Sequence, residues 1–212
     1  MINILKKIHE PSSSISDLIL SLFCFYWFYD LTTIFFYNKS NTLFFSLIIF
    51  FILGISALLG SFFHMFAKII SNKLIGFNFK IAVFTIGLIL LLFSFLYIDL
   101  LLKNNLKFVI GSFFSLTIIF FYYQFLKTKK NAFAIILLPI LLFIGFGVWF
   151  QLMANKPGSE EVLTGFLIIL TGLILWKNDL SINQNFNKND IFHYVSIIGL
   201  WYLHKGYKLL IF

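Results

Sequence analysis

Residues 43–70 read LFFSLIIFFILGISALLGSFFHMFAKII, an apolar run without Asp, Glu or Arg whose first lysine is Lys68. Crossing a hydrocarbon core roughly 30 Å thick takes about 20 apolar residues in a helix, so this run is long enough to span. Its hydrophobicity is continuous, without the period-two alternation of a barrel strand. Six further runs of the same kind flank it, at approximately 15–37, 81–102, 106–125, 132–153, 160–176 and 190–211. Pro157-Gly158-Ser159 breaks the chain and caps the sixth of the seven runs, and the polar linker 177–189 precedes the last.

The rest of the composition agrees with that run. The chain has 212 residues, of which 60% are hydrophobic, 21% aromatic and 11% charged, with a mean hydropathy of +0.97. A soluble domain carries roughly 25% charged residues. The sequence therefore reads as an all-α, polytopic integral membrane protein, a single domain over residues 1–212 folded as a seven-transmembrane-helix bundle. Disorder, collagen and a disulfide-rich secreted scaffold are excluded by the same numbers, and the lone Cys24 leaves no internal disulfide. The net charge of +8 comes from lysines scattered in ones, twos and threes between the apolar runs. That is the placing of helix ends at lipid headgroups, not of a nucleic-acid patch. The expected partner is membrane lipid.

Lysine placement sets the orientation. Lys6, Lys7, Lys68, Lys73, Lys80, Lys127, Lys129, Lys130, Lys177 and Lys188 fall on the side of the N-terminus, whereas Lys39, Lys103, Lys107, Lys156, Lys205 and Lys208 fall on the other. The richer side is cytoplasmic, which puts the N-terminus inside and the C-terminus outside.

Polar residues inside apolar runs carry the functional information, because a charge at the bilayer centre costs about 2.5–3.5 kcal/mol on insertion scales. On the cytoplasmic side Asp17 starts the first run, His64 lies late in the second, and Asn189, Asp190 and His193 open the seventh. Asn189 and His193 are spaced i,i+4, and Asp190 and His193 i,i+3, so they share a helix face. Ser61 stands on the same row as His64. Two imidazoles and a carboxylate can hold Zn²⁺ with an open position for water, which would polarise a substrate carbonyl. The metal ligands are then His64 and His193, with Asp17 or Asp190 as third ligand or general base and Ser61 or Asn189 at the oxyanion.

Each of these residues also has a structural reading. Ser14-Ile15-Ser16-Asp17 has capping-box spacing, with Ser14 as the N-cap, and Asn189-Asp190 can cap the seventh helix. An outer layer holds Asp30, Asp99, Gln151 and His204; Asp99 pairs at i,i+4 with Lys103, and Asp30 needs a partner such as His204, Lys205 or Gln151. Ser56-x-x-x-Gly60 and Ala57-x-x-x-Ser61 are small-residue pairs that allow close helix approach.

With His64 late in the second run and His193 early in the seventh, the chain resembles a superfamily of seven-helix membrane hydrolases that includes alkaline ceramidases and the progestin and adiponectin receptors. Its members carry Ser-x-x-x-His on the second helix, an Asp on the third and His-x-x-x-His on the seventh; three histidines hold zinc, and a metal-activated water is taken to cleave a lipid amide. Here the second-helix motif reads Gly60-Ser61-Phe62-Phe63-His64, with Gly60 in the place of the Ser. The seventh-helix motif reads Asn189-Asp190-Ile191-Phe192-His193, with Asn189 in the place of the first His. The third run has no acid near its start. Ser16-Asp17-Leu18 and the two motifs also resemble bacterial seven-helix proteins related to that superfamily, which implies a bacterial inner (plasma) membrane.

Three functions follow as expectations. The first is a membrane-embedded, zinc-dependent hydrolase of a lipid amide or ester, in a degenerate form. The second is a non-catalytic, receptor-like or structural seven-helix protein. The third is a small transporter or channel, against which stand the nearly unbroken Leu, Ile and Phe of the central segments.

Overall fold

The computed structural model describes residues 10–102, 104–128, 155–183 and 186–210. They form six helices: α1 (Pro11–Tyr37), α2 (Asn41–Phe66), α3 (Asn72–Leu101), α4 (Asn104–Thr128), α5 (Ser159–Lys177) and α6 (Lys188–Leu209). Among the described residues the only strand-like pairing is an isolated bridge between Asn183 and Phe186. Five helices, α1 to α5, are long and apolar enough to cross a membrane. The count of seven spans from the sequence is therefore larger than what is described: the run 132–153, with Gln151, lies outside the described residues, and α6 is too polar to meet the same measure.

Helix ends follow capping chemistry more closely than they follow hydrophobicity. Pro11 opens α1 at the first turn, where its fixed φ suits the helix and its missing N–H would be unpaired anyway. Ser14 is therefore not the N-cap. It lies inside α1 together with Asp17, and both are buried. α3 begins at Asn72 rather than near 81, because the Ser71 hydroxyl accepts from the Leu74 N–H at 3.4 Å. Lys73 and Lys80 punctuate the apolar run without ending the helix. α6 starts behind a capping box in which the Asn187 side chain caps the first turn and Asp190 accepts from the Asn187 N–H at 2.8 Å. The N-cap is thus Asn187, not Asn189.

Two antiparallel hairpins, α1–α2 and α5–α6, carry the most extensive packing, and α6 lies against α1. Contacts between Asp17 and His193 at one end, and between Asp30 and His204 at the other, show that α1 and α6 run parallel. Between those ends lies an apolar core. Cys24, Trp27 and Leu31 of α1 meet Ile49 and Phe50 of α2, Leu96 and Tyr97 of α3, Val162 of α5, and Leu203 and Tyr207 of α6. The buried Tyr97 and Tyr207 hydroxyls are 3.1 Å apart and join α3 to α6. α5 and α6 approach closely enough that a Cβ on Gly165 would lie 2.6 Å from the Gly199 carbonyl oxygen. Asp99 pairs with Lys107 of α4 at 2.8 Å; Lys103, the partner expected from the spacing, lies outside the described residues.

The outer faces carry Tyr26, Phe36, Phe62, Phe108 and Leu116 as exposed apolar side chains. Contiguous apolar surface on this scale marks a membrane or an interface rather than a water-facing exterior, which is compatible with an integral membrane protein.

Candidate functional site

The start of α1 is a helix with a buried polar stripe. In Ser13-Ser14-Ile15-Ser16-Asp17 every residue except Ile15 is buried, since positions 13, 16 and 17 share one face and 14 lies beside it. Each buried hydroxyl must find a partner, and these find theirs on α2 and α6. The Ser14 hydroxyl donates to the Ser61 carbonyl at 2.9 Å and lies 3.2 Å from the Ser61 hydroxyl. Ser13 Oγ accepts from Asn187 Nδ2 at 3.0 Å. One turn further on, the Ser21 hydroxyl donates to the Gly54 carbonyl at 2.8 Å.

Asp17 sits at the centre. Its Oδ1 is 3.2 Å from His193 Nε2, and its Oδ2 is 3.8 Å from His64 Nε2. One carboxylate therefore faces imidazoles from two other helices. Gly60 makes this approach feasible, because a Cβ there would lie 2.6 Å from Asp17 Oδ2. The far side of each ring is also engaged: His64 Nδ1 is 2.8 Å from Glu10 Oε2, and His193 Nδ1 is 2.9 Å from Ser16 Oγ. Ser16 Oγ in turn lies 3.0 Å from Asp190 Oδ1. The cluster grades from rim to interior, with His64 30% and His193 12% exposed, and Asp17 7% exposed.

The structure thus brings Asp17, His64 and His193 together and ties Asp190 to them through Ser16. It does not bring Asn189 into the cluster: Asn189 Oδ1 accepts from the Trp176 indole N–H at 2.9 Å on an exposed face. Ser61 is engaged by Ser14. Glu10, Ser16 and the space left by Gly60 are the parts that sequence reasoning missed. The repeated hydroxyls of Ser13, Ser14 and Ser16 beside Asp17 were the available signal, since so polar a face on a spanning helix has to be buried in protein.

The donor set matches zinc in type: two imidazole nitrogens and a carboxylate, with the second nitrogen of each ring turned toward an outer acceptor. As they stand, the described residues contain no group of three or more His, Cys, Asp or Glu side chains closed around a metal position. The widest separation is on the His64 side, where Nε2 stands 3.8 Å from Asp17 Oδ2.

An apolar cavity of about 210 Å³ begins one turn further into the bundle. Leu20, Leu53, Phe93, Phe166, Phe192 and Ser196 are among its walls. Leu20 follows Asp17 by one turn, and Phe192 and Ser196 flank His193. The Ser196 hydroxyl is buried and has no hydrogen-bond partner among the described residues.

No curated protein matches the chain, and no solved structure matches it either. A family of unknown function, DUF6962, matches residues 12–211, which hold the whole polar stripe of α1 and all of α6, and the chain belongs to that family.

Proposed function

We propose that this chain is a seven-helix plasma-membrane protein, cytoplasmic at its N-terminus, that binds zinc through Asp17, His64 and His193 and hydrolyses an amide or ester of a membrane lipid. One observation carries the reading: a buried carboxylate faces two imidazole Nε2 atoms from different helices. Among the described residues, no lysine pairs with Asp17 or Asp190. The cluster is therefore an acceptor-rich site that a cation would stabilise.

Zn²⁺ in this set supplies Lewis-acid polarisation of a carbonyl and activation of water. The chain's own residues do the rest. Asp17, His64 and His193 bind, and Glu10 meets His64 at the rim of the site. The apolar cavity gives a lipid chain a place one turn beyond the reacting end. At about 210 Å³ it exceeds a cavity of about 150 Å³ that takes a benzene-sized ligand, so it suits a stretch of alkyl chain rather than a headgroup. Water exclusion by Leu20, Phe192 and Leu200 strengthens each electrostatic contact at the site.

The non-catalytic reading also has a specific observation in its favour. The direct contacts of Asp17 with both histidines, and of Ser14 with Ser61, already tie α1 to α2 and α6. Metal analysis of detergent-purified protein separates the two. The hydrolase reading expects about one zinc per chain, lost in folded Asp17→Ala, His64→Ala and His193→Ala, and zinc-dependent turnover of a lipid amide or ester. Folded wild type that takes up no zinc on reconstitution overturns it and leaves the cluster as a packing device.

A further inference from the structure

The Ser16 hydroxyl has one proton and three neighbours. Ser13 O at 3.1 Å and Asp190 Oδ1 at 3.0 Å can only accept, while His193 Nδ1 at 2.9 Å can do either. Asp190 also accepts the Asn187 N–H on its other oxygen, the arrangement of an ionised capping-box carboxylate at a helix N-terminus. If Ser16 gave its proton to His193, Asp190 Oδ1 would face the Ser16 oxygen across a buried contact with no hydrogen between them. An unpaired buried acceptor is costly, and more so when charged. The proton therefore goes toward Asp190, and His193 Nδ1 must donate to the Ser16 oxygen.

We propose that Asp190, acting through Ser16, is a positioning residue that keeps a proton on His193 Nδ1, so that Nε2 is the nitrogen turned to Asp17 at 3.2 Å. This gives Asp190 a second task beside capping, and places it one step behind the ligand rather than in the ligand set. What Nε2 is used for rests on the zinc reading; the proton on Nδ1 does not.

The test is nitrogen-15 NMR of histidine-labelled protein in detergent, with His193 assigned by its loss in His193→Gln. Metal-free wild type is expected to show a protonated Nδ1. Ser16→Ala and Asp190→Ala should shift His193 toward the Nε2–H form. Asp190→Asn, which keeps an acceptor, should restore part of the wild-type signal. Asn187→Ala damages the same helix cap but leaves the relay intact, so it should leave the tautomer unchanged; a shift as large as that of Ser16→Ala would overturn the proposal. A wild-type His193 protonated at Nε2 and bare at Nδ1 overturns it too, whether or not zinc binds. In parallel, zinc affinity should fall about 10–100-fold in Ser16→Ala. A wild type that shows the Nδ1–H form but takes no zinc keeps the relay and removes the zinc reading alone.

Discussion

Asp17 and Asp30 stand 13 residues apart on α1, about 20 Å along its axis, and each faces a histidine of α6. Their surroundings differ in one respect that decides what each can do. Asp30 Oδ2 meets His204 Nε2 at 2.7 Å and Lys208 Nζ at 2.9 Å, and Trp27 stacks on His204 with ring centroids 5.9 Å apart. That end carries its own cation, and its charges close on themselves. Asp17 has a second imidazole in place of the lysine, and Asp190 stands behind one of the two. The same helix pair thus makes a closed ion pair at one end and an acceptor-rich cluster at the other. Residues at similar positions in a bundle acquire different chemistry from a single neighbour.

The largest effect should come from removing one charge at each end in turn. Asp17→Asn keeps the shape of the side chain but removes the charge, so bound zinc should be lost altogether in a protein that still folds. Asp30→Asn should leave zinc content at the wild-type level and lower thermal stability by no more than about 1 kcal/mol, since the pair is partly exposed and screened. Equal loss of zinc in both variants would break the comparison, because it would mean that the two ends act as one site.

Gly60 offers a finer test. An added methyl meets Asp17 Oδ2 at 2.6 Å and Cγ at 3.1 Å, which are atoms at the end of a side chain rather than backbone. Gly60→Ala should therefore spare the bundle, with a helix-propensity gain of up to about 1 kcal/mol offsetting the crowding. Zinc affinity should still fall by about tenfold or more as the carboxylate is pushed aside. Gly165→Ala is the contrast: its methyl meets backbone, the Gly199 carbonyl oxygen at 2.6 Å, so folded yield should drop. Titrating zinc into both variants and following their melting separates an effect on the site from one on packing.

The apolar runs made the helical class legible, with five helices long and apolar enough to cross a membrane, because continuous hydrophobicity is a bulk property of a segment. Helix limits were less legible. Ser71 starts α3 well before the apolar run, and Pro11 starts α1 before Ser14; hydrogen bonds and φ set those ends, whereas hydropathy reports only the lipid. In the site, His64, His193 and Asp17 were readable as polar side chains at one depth. Asn189 was not readable as an outsider. It shares a helix row with His193 by spacing, but that row also borders Trp176, and only the packing of α5 on α6 decides which neighbour it meets. Gly60 could be seen as a departure from a motif, but the use made of the space needs α1 placed beside α2. Ser16 was hidden for a similar reason, since its partners lie 174 and 177 residues away.

The smallest expected effect sharpens the comparison most directly, by making the Asp30 end resemble the other. Lys208→Met removes the cation and leaves Asp30 facing His204 alone. Lys208 is 39% exposed and Asp30 27%, so solvent screens the lost pair and the stability change should stay under about 1 kcal/mol. The buried stack of His204 on Trp27 and the 2.7 Å contact with Asp30 remain to hold α6 to α1. If an uncompensated carboxylate beside one histidine were enough to recruit a metal, this variant would gain a second zinc. It should gain none, because one imidazole and one carboxylate lack the second imidazole that α2 supplies at the other end. Counting zinc in Lys208→Met beside wild type therefore asks whether the Asp17 cluster depends on its lack of a lysine alone or also on the convergence of three helices. An unchanged count assigns the difference to the convergence.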